Sequence, residues 1–120
     1  MKDAAREPKV VQYIASEAAR RYGPLEPDLA QKLQRNLRRN LRVTVDRAEI
    51  QRQAEHCKEM YTYAASILGR FLSPPKGKYA DPSDVDLEGF RTALVRQFPE
   101  DPSEVIETIA WYTVHYEYLR

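Results

Sequence analysis

A chain of 120 residues is long enough for one domain around one core. Hydrophobic residues make up 42% of it and charged residues 31%, a globular balance that excludes a disordered chain. The formal net charge of +1 excludes a uniformly basic nucleic-acid protein.

Pro8 suits a first helical position, and Val11, Ile14, Ala18 and Tyr22 recur at helical spacing, which predicts a first helix over residues 8–22. Arg20 and Arg21 fall in its last turn, where cations suit the helix dipole, and Gly23 is placed to end it. A second helix follows "GPLEP", with Pro27 in its first turn and Asp28 complementing its N-terminal dipole. Leu29, Leu33, Leu37 and Leu41 recur every fourth residue and span an arc of about 120°. Lys32, Arg35, Arg38, Arg39 and Arg42 occupy a second arc of about 120°, directly opposite, and no acid lies between Leu29 and Val45.

Val43, Thr44 and Val45 are β-branched and fit an extended link. Asp46 with Glu49 has the spacing of a capping box, and Val45 with Ile50 that of a hydrophobic staple. The third helix is predicted from there to about residue 72, ahead of Ser73-Pro74-Pro75. Ile50, Ala54, Cys57, Tyr61, Ala64, Leu68 and Phe71 alternate spacings of four and three along it, a sustained heptad stripe. Its length of about 40 Å makes it the expected spine of the domain.

"SPPKGKYADPSD", residues 73–84, reads as the one linker, free of regular structure. A fourth helix over 86–98 buries Leu87, Phe90, Leu94 and Phe98, and Pro99 stops it. Asp101 as cap, Pro102 at the first position and Glu104 at the third open a fifth. It carries one apolar stripe of Val105, Ile109, Tyr112, Tyr116 and Leu119 and a second of Ile106, Ala110 and Val114. A helix apolar on two faces is either central in the core or covered by a partner. The pattern has no strand signal of useful length and no internal repeat. The expected fold is all-α: a single helical-bundle domain over 1–120, of about five helices with one long central helix. It divides into a basic half at 1–72, the linker at 73–84 and an acidic helical hairpin at 85–120.

Candidate chemistry is sparse. His56 and Cys57 are neighbours on a helix, so their side chains diverge by about 100° and form no local nucleophile–base pair. Pairing would require His115 to fold against Cys57, and the heptad position of Cys57 reads as core instead. "EHCKE" offers His56 with Glu55 or Glu59 but no second cluster at metal-ligand spacing. Asp81, Asp84, Asp86 and Glu88 lack the spacing of a calcium loop and fit a helix start. The four glycines are scattered, so no phosphate-binding loop is present. The sequence thus predicts no catalytic residue, cofactor or metal. One cysteine, no basic start followed by an apolar run and no long apolar segment predict a cytoplasmic protein outside the membrane.

Binding is the better-supported class. Residues 1–70 hold 14 Lys and Arg against 9 Asp and Glu, whereas residues 71–120 hold 5 against 9, which predicts one basic and one acidic face. Arg outnumbers Lys 13 to 6, and its planar fork suits phosphate. Lys32, Arg35, Arg38, Arg39 and Arg42, extended by Arg47 and by Arg20 and Arg21, are the candidate nucleic-acid-binding residues, acting on the backbone by counterion release. Asn36 and Asn40 flank the leucine arc and suit either phosphate or a neighbouring helix. Lys76 and Lys78 add a basic loop. Trp111, Tyr112, Tyr116 and Tyr118 form a dense aromatic tail, open to core packing, to base stacking or to a partner protein.

The functional expectation is a non-catalytic subunit that holds an RNA or DNA backbone without reading sequence, within a larger nucleoprotein complex. Small helical subunits of RNA-guided effector complexes share this general form, a likeness of architecture alone. The alternative is a protein–protein adaptor or homodimer whose basic helix meets an acidic partner. In the first reading, the apolar excess of helix 5 docks the chain into the larger assembly.

Overall fold

Hydrophobic spacing, more than capping, decides where the helices of this chain lie. The computed structural model describes residues 4–20, 23–74 and 79–119. Among these, the α-helices are α1 (Pro8–Ala19), α2 (Leu29–Asn40), α3 (Arg47–Ile67), α4 (Leu87–Gln97) and α5 (Ser103–Glu117). Only α4 has a side-chain cap, Asp86 accepting from the Gly89 N–H; the others start without one.

The absent caps are corrections with local causes. The expected Asp46–Glu49 box does not form, because the Glu49 carboxylate is held by Arg52 and Gln53 on its own helix. The staple pair Val45 and Ile50 is nevertheless buried, so apolar contact brings the chain into α3. Asp101 does not cap α5. Pro102 stands at the cap position, and the Asp101 carboxylate instead accepts from His56 Nε2 at 2.8 and 3.0 Å, tying the start of α5 to α3.

The first helix ends three residues before its expected end. The Arg20 N–H closes on the Ser16 carbonyl, and Gly23 takes a left-handed φ of 75° that only glycine adopts freely. The third helix tightens at its end into a 3-10 turn at Leu68–Phe71. Its buried face includes Met60 and Ile67, which the heptad reading passes over, while Tyr61 is half-buried and donates to Glu117 at 2.7 Å.

Helix α5 settles one open question of the sequence. Val105, Ile106, Ile109, Ala110 and Val114 are all buried, and the helix packs on α1, α3 and α4. The second stripe is therefore consumed by the core, and so is the first at Val105 and Ile109, while its Tyr112, Tyr116 and Leu119 are half-buried. Helices α1, α3 and α5 form its centre, α2 packs on α3, and α4 packs on α5. The spine role expected of the third helix is thus shared with α5.

The expected linker is pinned on both sides. Leu72 and Val85 pair as an isolated antiparallel bridge, with Ser73 N–H on the Asp84 carbonyl at 2.7 Å and Asp86 N–H on the Phe71 carbonyl at 2.8 Å. Asp81 and Asp84 cap a 3-10 turn at Pro82–Asp84 reciprocally. Asp84 is buried, and its Oδ2 accepts from the Tyr118 hydroxyl at 2.7 Å. The acids of this segment therefore serve as local caps, as a helix start would require.

Candidate nucleic-acid interface

Leu29, Leu33 and Leu37 are fully buried and fix α2 against the core, which turns the opposite arc of the helix to solvent. Arg35, Arg38, Arg39 and Arg42 are all exposed. Among the described residues, none of their guanidinium groups has an ion-pair or hydrogen-bond partner. The acidic half of the chain therefore does not fold over them.

The other expected cations have employment of their own. Lys32 is held by Glu26 at 3.1 Å and Asp28 at 3.5 Å, acids just outside the leucine-rich stretch. The hydrogen bond to Glu26 and the charge of Asp28 raise its ammonium pKa above the ordinary lysine value. Arg47 donates from Nε to the Gln34 side chain at 2.7 Å, and Gln34 donates onward to the Val45 carbonyl at 2.9 Å. That relay locks α3 to α2 beside the arginine arc. Arg20 pairs with Glu17 at 2.8 Å. Arg21, Lys76 and Lys78 lie outside the described residues.

Arg42 departs from the helical arc. The helix has already ended, and Arg42 takes the position after the cap with φ 55°, a left-handed conformation that usually falls to Gly or Asn. The Val43 N–H reaches back to the Leu37 carbonyl at 3.4 Å. Arg42 thus projects from the end of α2.

Asn36 donates from Nδ2 to the Tyr13 hydroxyl at 3.1 Å, so it contacts the neighbouring helix. Between α1 and α2 lies a groove of about 340 Å³ that includes Lys9, Gln12, Ser16, Asn36 and Asn40. Among the described residues, no carboxylate lines it.

Of the four aromatic residues expected to bind a partner, Trp111 is the exposed one, at 53%. Its indole stacks on the His115 ring at 3.8 Å between centroids and 18° between planes. His115 is held in place by donating from Nδ1 to the Trp111 carbonyl at 2.8 Å. Tyr112 and Tyr116 are half-buried and lean on each other, and Tyr118 donates its hydroxyl to Asp84, a hydrogen bond that raises its pKa. His115 therefore does not face Cys57. That thiol is buried and is pushed up to about 12 by desolvation and by the Asp101 carboxylate. It is no nucleophile at neutral pH. Among the described residues no group of His, Cys, Asp and Glu gathers at metal-binding distance.

Sequence reasoning missed the His56–Asp101 tie, whose partners are 45 residues apart. It also missed the Gln34–Arg47 relay, and no local spacing announces either. The pairing of Asp28 with Lys32 was readable, since the two stand at i and i+4. Comparisons with protein families, with curated proteins and with solved structures find no match. Among the described residues, no helix is long and apolar enough to cross a membrane.

Proposed function

We propose that this chain is a non-catalytic helical subunit that holds a nucleic-acid backbone without reading its sequence, as a component of a larger cytoplasmic nucleoprotein complex. The observation that carries the reading is the set of four exposed guanidinium groups at 35, 38, 39 and 42, with no carboxylate partner among the described residues. Arg35, Arg38 and Arg39 share one helix face with Arg42 just beyond its end; such like charges repel, and a phosphate backbone relieves that repulsion while releasing its counterions. Arginine's planar fork suits phosphate contacts, which position a nucleic acid and carry no sequence information. The reduced, buried Cys57 fits a reducing compartment.

The test is a titration of labelled single- and double-stranded RNA and DNA at low and moderate salt. Binding should weaken steeply with salt and be abolished or strongly reduced by Arg38→Glu combined with Arg42→Glu. Absence of binding at low salt, or binding indifferent to those substitutions, overturns the reading.

A further inference from the structure

Two grooves flank a single ridge of α1. Gln12 and Ser16, about one helical turn apart, line both. On one side lies the groove against α2, with Lys9, Asn36 and Asn40. Asn36 and Arg39 are i,i+3 neighbours, and Arg39 and Arg35 are i,i+4 neighbours, so Arg39 borders this groove and Arg35 stands next to it. On the other side lies a groove of about 450 Å³ against α5, with Trp111 and His115 on its wall.

Among the described residues, the lining of the two grooves opposes a polyanion with no unpaired carboxylate. The α2 groove has none and carries Lys9, and the one carboxylate of the α5 groove, Glu107, is neutralised by Arg91 at 3.0 Å. In a chain with 18 acidic residues, two adjoining grooves with no unpaired carboxylate among the described residues that line them need a reason. The indole supplies the second half of the argument. Trp111 remains 53% exposed although His115 stacks on it and the Tyr112 ring meets it at 4.8 Å. The carbonyl anchor on His115 holds the pair as a preformed aromatic platform. Basic groups tracking a backbone beside an aromatic platform are how sequence-tolerant proteins hold single strands. A duplex keeps its bases stacked inside and has nothing to lay on an indole.

We infer that the nucleic acid is single-stranded, and that it crosses the Gln12–Ser16 ridge from the arginines of α2 to stack a base on Trp111. This inference rests on the backbone-binding reading and adds a strand preference and a base subsite to it.

Trp111 is the one tryptophan of the chain, so its fluorescence reports the subsite directly. The experiment titrates the intact protein with oligo(dT), oligo(U) and a DNA duplex, following tryptophan emission and, in parallel, anisotropy of end-labelled strands. Single strands should quench the emission saturably, and the duplex should not. Trp111→Ala should weaken single-strand binding by about 5- to 100-fold, with Trp111→Phe recovering part of it and duplex binding unchanged. Trp111 is half-exposed, so both variants should fold, which far-UV circular dichroism confirms. Binding that needs the arginines but leaves the emission and the Trp111→Ala affinity unchanged overturns the stacking subsite and leaves the backbone reading standing. Equal quenching by duplex overturns the strand preference. No binding of any strand overturns both readings together.

Discussion

The division of the basic arc into spent and free cations makes a quantitative prediction about salt. For a single strand, each phosphate neutralised contributes about −0.7 to the slope of log affinity against log salt. Four free guanidinium groups therefore give a slope of about −2.8, and affinity falls about 50-fold between 50 and 200 mM salt. Arg39→Ala removes one contact and should bring the slope to about −2.1, a fall of about 20-fold over the same range. The opposite perturbation acts on the partners of Lys32. Glu26→Gln with Asp28→Asn releases an ammonium now held at 3.1 and 3.5 Å, and provides a fifth free cation. The slope should steepen to about −3.5, a fall of about 130-fold, with tighter binding at low salt. Asp28 makes no capping hydrogen bond, so its replacement leaves the start of α2 intact. Anisotropy titrations of a labelled homopolymer at four or five salt concentrations measure all three slopes. If the two changes fail to move the slope in opposite directions, the account of which charges are free is wrong.

Other consequences are independent of any ligand. Cys57 ionises near 9 in an unfolded chain and near 12 in the fold, so its contribution is fully present below pH 9 and is lost as pH rises from 9 to 12. Denaturant melts of wild type and Cys57→Ala should show a smaller loss of stability in the variant over that window, and the native thiol should resist alkylation at pH 8. Arg42→Gly relieves a left-handed arginine and should raise stability by about 1 kcal/mol in urea melts while weakening nucleic-acid binding, two effects that a structural role alone would not separate. Tyr118→Phe removes the hydroxyl held by buried Asp84. It should lower the melting temperature and speed amide exchange at Ser73 and Asp86, whose N–H groups bridge the segments that Asp84 steadies. Unchanged exchange at those two amides would show that the bridge stands without the tyrosine.

The helices were legible because their information is local. Leucines every fourth residue, a stripe with spacings of four and three, and prolines at 8 and 99 each constrain only their own turn or two of chain. What misled was also local. Asp46 and Asp101 stand where caps belong, yet the carboxylate of Asp101 went to a histidine 45 residues away and the partner expected for Asp46 went to Arg52. A cap is worth about 1 kcal/mol, so a competing charged partner nearby or across the fold readily displaces it. Helix α5 shows the same limit from the other side. Two apolar stripes state that a helix is covered all round, but only the packing of α1, α3 and α4 around it says by what.

The candidate interface depends on a subtraction that a linear reading cannot complete. Seven described cations begin as equivalent, at 20, 32, 35, 38, 39, 42 and 47, and the fold removes three by giving them partners. Two of those partners, Glu17 and Asp28, lie within helical reach of the cations they hold and were open to a pairwise check. Gln34 was not, because its contact with Arg47 exists only after the chain turns between α2 and α3. The arginines that survive are those for which neither helical spacing nor tertiary packing supplies an acid. Their exposure is therefore a property of the whole fold, and the same packing that buries Val105, Ile106, Ile109, Ala110 and Val114 of α5 leaves Trp111 as its one large exposed apolar side chain. A basic arc and a lone indole are weak signals separately. Joined by a ridge whose two grooves present no unpaired carboxylate among the described residues, they support together the single-strand proposal that neither supports alone.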